Sequence, residues 1–219
     1  MKTHPIWHGV RLRRLAAGAD PDAPTRLVSL PAGWEDGAAA ALAALAPGHG
    51  PVALPGAAEA WIAPLAARAA PGPADQAADQ APLADRLHRL LLLRRAAPDA
   101  ALWQGRTDLP ARFVLNLPAF LDPLGGFDTA GFVAAAGTAL AALALARPPG
   151  GPVPSIGFAD LAGLLAALGI DYGSAAARDV ACALAMVLRG RAGVPAGMNK
   201  VPPAATAVPG LAEAARAAL

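Results

Sequence analysis

Two consecutive helices are predicted by residues 158–190, which read FADLAGLLAALGIDYGSAAARDVACALAMVLRG. Apolar residues recur every three or four positions in this stretch, which is the period of a buried helix face. Gly169 ends the first helix, because glycine readily adopts the left-handed conformation that closes a helix. Ser174 caps the second helix, which runs to Leu188 and stops at Gly190.

The rest of the chain predicts further helices and little sheet. Two alternating stretches, residues 9–15 and 25–30, flank a turn-rich connector and predict a β-hairpin. Residues 147–154 hold four prolines and two glycines and predict a loop. We therefore expect a mainly α fold, a multi-helix domain with a small N-terminal β-hairpin. The additional helices are predicted at residues 34–46, 57–70, 83–97, 128–146 and 211–219.

Composition divides the chain into four consecutive segments. Residues 1–70 hold the hairpin and two helices, and residues 71–82 form a linker of proline, alanine, glutamine and aspartate. Residues 83–190 form a helical domain, and residues 191–219 form a proline-rich tail with a short helix.

Charge and cysteine content exclude several classes of function. The chain has 18 basic and 16 acidic residues, a balance that predicts no nucleic-acid binding. Cys182 is the only cysteine, so neither an intrachain disulfide nor a cysteine zinc cluster can form. We expect no metal and no cofactor.

Residues 129–146 are uncharged for 18 positions, which is at the lower edge of the length that spans a membrane. Most of these residues are alanine or glycine, which insert weakly, so we expect a buried core helix and no membrane span. The first residues lack an apolar signal core followed by a cleavage site, which predicts a cytoplasmic location.

The histidines do not form an evident metal site. His4 and His8 have a spacing that can bind a metal on a helix, but Pro5 lies between them and no third ligand is near. His49 falls in a predicted turn and His88 on a charged helix face, so we expect both to be solvated.

Two further side chains allow a functional and a structural interpretation. Asp160 is either a functional carboxylate or, as we favour, an acid at a helix N-terminus. Cys182 is either a nucleophile or, as we favour, a small buried residue in mid-helix. We therefore expect no catalytic residues.

Residues 158–190 resemble the helix pair of the large subunit of ribonucleotide reductase, particularly that of the adenosylcobalamin-dependent class. Residues 115–121 (LNLPAFL), 94–103 (RRAAPDAALW) and 28–34 (VSLPAGW) resemble three other segments of that subunit, in the same order along the chain. The four pieces together touch about half of the chain.

The departures from the family bear on activity. The resemblance implies a redox cysteine at position 115, where this chain has Leu115. It also implies a barrel carrying the thiyl cysteine, but the residues between Trp103 and Leu115 are too few to form one. Leucine has no S–H bond to break, so the resemblance implies a shortened and catalytically inactive relative.

We therefore expect a reductase-like accessory or regulatory protein that acts by binding another protein. The alternative is a small enzyme or nucleotide-binding protein of unrecognised chemistry, using Asp160, Arg178 or the region of His4 and His8. A third interpretation is a structural accessory protein unrelated to the reductase.

The predicted helix pair supplies the candidate interaction surface. In the reductase, such helices would pack against the barrel, so here another surface must cover them. The cover is either the chain's own N-terminal half, a partner protein (a reductase or another complex) or a second copy in a homodimer. The candidate residues are Leu161, Leu164, Leu168, Val180, Leu184 and Val187.

Overall fold

The computed structural model describes residues 3–18, 20, 22, 24–69, 81–193 and 200–219. These residues are about 50% helical and 15% strand, with two small three-stranded mixed sheets. The prediction of a mainly α fold with one hairpin is therefore wrong, and the fold is a mixture of α and β. The missed strands hold only two to five residues each, which is too short for a period of two to register.

The helices of the described part of the chain are α1 Asp36–Leu45, α2 Leu54–Arg68, α3 Leu83–Leu92, α4 Ala100–Trp103, α5 Thr129–Ala146, α6 Leu161–Ala167, α7 Ala175–Arg191 and α8 Leu211–Arg216. The strands are β1 Leu12–Ala17, β2 Arg26–Pro31, β3 Val52–Ala53, β4 Ala96–Pro98, β5 Arg112–Asn116 and β6 Ser155–Ala159. Short 3-10 helices occur at Pro5–Trp7, Leu117–Phe120 and Pro203–Ala207.

The chain forms two compact units, and neither is one continuous stretch. The first unit comprises Met1–Arg89, Pro98–Arg112 and Leu145–Pro154. The second comprises Leu90–Ala97, Phe113–Ala144 and Ser155–Leu219. Most of the predicted linker, residues 71–80, lies outside the described residues, as do residues 194–199 of the predicted tail.

The first unit contains the predicted hairpin as part of a larger sheet. β1 pairs antiparallel with β2, and β3 adds to β2 in parallel. Arg26 fixes the turn between α1 and β3, because its guanidinium donates to the carbonyl oxygens of Ala46, Gly48 and Gly50 at 3.0, 2.7 and 2.7 Å. α2 then packs against β2 and α4.

The second unit has an aromatic core and a C-terminal cover. The rings of Phe120, Phe127 and Phe132 contact one another, with centroids 5.5 to 6.1 Å apart. α7 packs against the 3-10 helix Pro203–Ala207 and against α8. The sheet order in this part of the chain is β4-β5-β6.

α5 is the one helix of the described residues that is long and apolar enough to cross a membrane, and length and composition alone are weak evidence for a span. Phe132, Ala136 and Leu143 of this helix are buried in the protein core. The Thr129 hydroxyl donates to the carbonyl oxygen of Pro209 at 2.8 Å, which ties the start of α5 to the C-terminal segment.

Candidate functional site

An apolar cavity of about 140 Å³ lies within the first unit. It opens between α2, α4 and the loop that follows α5. Trp61, Leu65 and Leu102 line it, and each is at most 7% exposed. Four of the residues that line it are prolines, whose rings fix the local backbone φ: Pro64, Pro148, Pro152 and Pro154.

The indole of Trp61 is held in position by a second tryptophan. The rings of Trp61 and Trp103 meet edge to face, with centroids 5.9 Å apart. Trp103 is itself fixed, because its Nε1–H donates to the carbonyl oxygen of Pro98 at 3.1 Å. The aromatic wall of the cavity is therefore preformed.

Three arginines border the cavity, and one of them is paired with an acid. Arg106 donates to both carboxylate oxygens of Asp108, at 3.2 and 2.7 Å. The hydrogen bond raises the pKa of Arg106 and lowers the pKa of Asp108, so both groups stay charged and offset one another.

Among the described residues, the other two arginines donate only to main-chain oxygens. Arg68 donates to the carbonyl oxygens of Pro64 and Leu145 at 3.2 and 3.1 Å, and Arg147 donates to that of Gly151 at 3.2 Å. Carbonyl groups carry no net charge. Within the described residues, no carboxylate therefore neutralises the guanidinium of Arg68 or Arg147.

A second polar cluster of the first unit surrounds His88, which is completely buried. Trp7 Nε1–H donates to His88 Nδ1 at 3.1 Å, and His88 Nε2 lies 2.9 Å from Glu59 Oε2. The proton of the neutral ring is therefore on Nε2. Burial lowers the pKa of His88, against the opposing effect of the hydrogen bond to Glu59.

The expectation that His88 is solvated is therefore wrong. Its helix is charged around it, but the 3-10 helix Pro5–Trp7 places Trp7 against the ring. Because Trp7 occupies Nδ1, that nitrogen is not available to accept a proton from a substrate. The arrangement therefore fixes the His88 ring through both of its nitrogens.

The His4 side chain contacts groups other than His8. The His4 ring stacks on His88 with centroids 4.2 Å apart, and its Nε2 lies 3.3 Å from Asp85. Its Nδ1 accepts a hydrogen bond from the Ile6 main-chain N–H at 3.4 Å. No group of three potential metal ligands occurs in the part of the chain that the structure describes.

The remaining polar candidates have local structural partners. Asp160 is the N-cap of α6, where its carboxylate accepts from the Gly163 N–H at 2.9 Å. Arg178 donates to the carbonyl oxygen of Gly173 at 3.2 Å. Cys182 is half-buried on α7.

The predicted interaction residues lie in the second unit and are largely covered by this chain. Leu164, Val180 and Leu184 are 0% exposed and Val187 is 1% exposed, whereas Leu161 and Leu168 are half-buried. The 3-10 helix Pro203–Ala207 and α8 pack on α7. The C-terminal segment therefore covers α7, whereas the 3-10 helix Leu117–Phe120 packs on α6, and the sequence indicated neither contact.

Comparisons with family models, with curated proteins and with solved structures found no match to this chain. The resemblance to ribonucleotide reductase thus gains no support from them.

Proposed function

We propose that this chain is a binding protein whose ligand is a small molecule seated against Trp61. The observation that carries this proposal is the preformed apolar cavity with guanidinium groups at its border. Apolar walls combined with a few convergent polar groups are typical of ligand sites.

The size of the cavity limits the ligand. Pockets for drug-sized ligands have volumes of roughly 300–1,000 Å³, whereas this cavity has about 140 Å³. An engineered apolar cavity of about 150 Å³ binds benzene. The enclosed part of the ligand is therefore a single ring or a short branched chain, and a whole nucleotide is too large for it.

Closing the cavity should abolish binding. Ala60 borders the cavity and is exposed on α2, so Ala60→Leu should fill the opening without crowding the core. Ala67→Leu is the matched control, because Ala67 is exposed on the same helix and does not line the cavity. Ligand-observed NMR with single-ring acids, phosphates and alcohols should detect binding to the parent and to Ala67→Leu only. Equal binding to Ala60→Leu, or no binding to the parent, would contradict the proposal.

A second proposal keeps the reductase-like accessory role, in which the chain binds a reductase, another complex or a second copy. It is favoured by Leu124, which is 97% exposed at the tip of a tight loop. Asp122 orders that loop, because its Oδ1 accepts from the N–H groups of Leu124 and Gly126 at 2.8 Å each. A non-catalytic role also accords with Leu115, which occupies a fully buried position of β5.

Leu124→Asp should disrupt association while leaving the melting temperature unchanged, because the side chain has almost no contacts to lose. Sedimentation of the chain alone and with the reductase of the same cell measures both forms of association. Leu12→Asp is the control, since Leu12 is an exposed leucine of the other unit. A parent chain that forms neither assembly, or a Leu124→Asp variant that associates as the parent does, would refute this second proposal.

A further inference from the structure

Resting on the proposed small-ligand function, we further propose that the ligand is an organic oxyanion. The ligand would consist of a carboxylate or phosphate attached to a ring-sized apolar group. The apolar group enters the cavity against Trp61, and the oxyanion stays at the border with Arg68 and Arg147.

The charge around the cavity favours an anion. Three arginines line it, and Asp108 is the one acidic partner that any of them has among the described residues. Asp108 offsets Arg106 alone, at 2.7 Å. The positive charges of Arg68 and Arg147 are left to attract a ligand.

The structure also links the two segments that carry these arginines. Arg68 ends α2, and Arg147 directly follows α5. The Arg68 Nη1 donates to the carbonyl oxygen of Leu145, two residues before Arg147, at 3.1 Å. This hydrogen bond joins the two segments that carry the guanidinium groups, so both groups border one cavity.

Both guanidinium groups retain donors for a ligand. Main-chain oxygens occupy Nε and Nη1 of Arg68 and Nε of Arg147. Among the described residues, Nη2 of Arg68 and both Nη atoms of Arg147 have no protein acceptor. Guanidinium donors match the paired oxygens of a carboxylate or a phosphate.

The apolar end of the ligand follows from the cavity walls. Trp61 offers an aromatic surface for a ring, and the proline walls offer no acceptor side chain to a polar group. A simple inorganic anion would leave this surface unused, and a neutral ring would leave the arginines unused.

Isothermal titration of the full chain at low ionic strength can separate these contributions. The probes are phenyl phosphate, benzoate, benzyl alcohol and inorganic phosphate. We expect phenyl phosphate or benzoate to bind at least about tenfold more tightly than both benzyl alcohol and inorganic phosphate, with an affinity that falls as salt is added. The better of the two anionic probes then distinguishes a phosphate from a carboxylate ligand.

Substitutions assign the effect to the arginines. Arg147→Gln and Arg68→Gln should each weaken anion binding about tenfold and leave binding of benzyl alcohol unchanged. Arg147→Lys retains the charge and should retain more affinity than Arg147→Gln. Arg14→Gln is the control, because Arg14 is exposed on β1 away from the cavity. Thermal melting verifies that each variant is folded.

The results that would overturn the inference differ from those that would overturn the proposed function. If benzyl alcohol binds as tightly as the anions and Arg147→Gln changes nothing, the oxyanion inference fails and the cavity remains a ligand site. If inorganic phosphate binds as tightly as phenyl phosphate, the apolar part of the ligand is wrong. If no probe binds, both proposals fail.

Discussion

Leu211→Ala should lower the free energy of unfolding by about 2–5 kcal/mol, the range for truncating a fully buried leucine. Leu211 is 0% exposed and begins α8, which packs on α7. The 3-10 helix Pro203–Ala207, which precedes α8, is held to α7 by the Ala204 N–H, which donates to Asp179 Oδ2 at 3.1 Å. Chemical denaturation monitored by circular dichroism measures the change.

The matched control is Leu124→Ala, which makes the same truncation at a residue that is 97% exposed. It should change the free energy of unfolding by no more than about 0.5 kcal/mol. Because α8 and the 3-10 helix Pro203–Ala207 both pack on α7, Leu211→Ala should also weaken this cover and increase self-association. Equal stability of Leu211→Ala and the parent would show that α8 does not supply this cover.

Gly190→Ala tests the same contact from the side of α7. A Cβ atom at position 190 would lie 2.7 Å from the Cα atom of Ala218, so the C-terminal residues must shift to admit it. We expect a loss of about 1–3 kcal/mol despite the higher helix propensity of alanine. Gly37→Ala is a control in α1, where an added Cβ meets nothing within 4 Å. A neutral or stabilising Gly190→Ala would contradict the close packing.

Acidification should destabilise the protein through His88. Burial lowers the pKa of His88 below its ordinary value of 6.5, so the unfolded chain takes up this proton at a higher pH than the folded chain. The contribution of the neutral His88 ring to the free energy of unfolding is therefore fully present above pH 6.5, and it is lost as the pH falls toward the lowered pKa. One proton limits the slope to about 1.4 kcal/mol per pH unit.

His88→Gln isolates this contribution. A glutamine amide can donate to Glu59 and accept from Trp7, but it cannot take up a proton. On acidification, the free energy of unfolding of the parent should therefore fall more than that of His88→Gln. His49→Gln, at an exposed position, is the control for the substitution itself and should retain the stability of the parent. Parallel curves for the parent and His88→Gln would contradict a neutral buried imidazole.

The long helices could be predicted because their sequence signals are local. Ser174 caps α7, and its hydroxyl oxygen accepts from the Ala177 N–H at 3.0 Å. α5 was predicted within one residue of its start, from residues 128–146. α3 ends at Leu92 and not at residue 97, because the chain turns at Arg94, which has a φ of 55°. Nothing in the identity of Arg94 indicates that conformation.

The short strands could not be predicted, since their conformation depends on neighbours distant in the chain. β3 has two residues and is a strand because β2 pairs with it. β6, Ser155–Ala159, contains Gly157 and is separated from α6 by Asp160 alone, so the helix that the sequence predicts from residue 158 includes the last two residues of the strand. Tertiary pairing outweighs such weak local preferences.

The candidate site could not be predicted from the sequence for the same reason. The proline-rich loop of residues 147–154 was predicted, but nothing local indicated that it packs beside Trp61 and Leu102 to enclose a cavity. Arg68 and Arg147 are likewise distant in sequence. These prolines and arginines indicate a ligand site only after the fold has brought α2 and α4 into contact.

The central claim is that a small ligand occupies the cavity beside Trp61, and the indole N–H signals of the tryptophans test it most directly. The chain has four tryptophans, and Trp61→Phe identifies the Trp61 signal in a ¹H–¹⁵N correlation spectrum. Titration with phenyl phosphate should shift the Trp61 signal progressively and leave those of Trp7 and Trp34, which do not line the cavity, in place. A Trp61 signal that stays fixed at millimolar phenyl phosphate, benzoate and benzyl alcohol would contradict the claim.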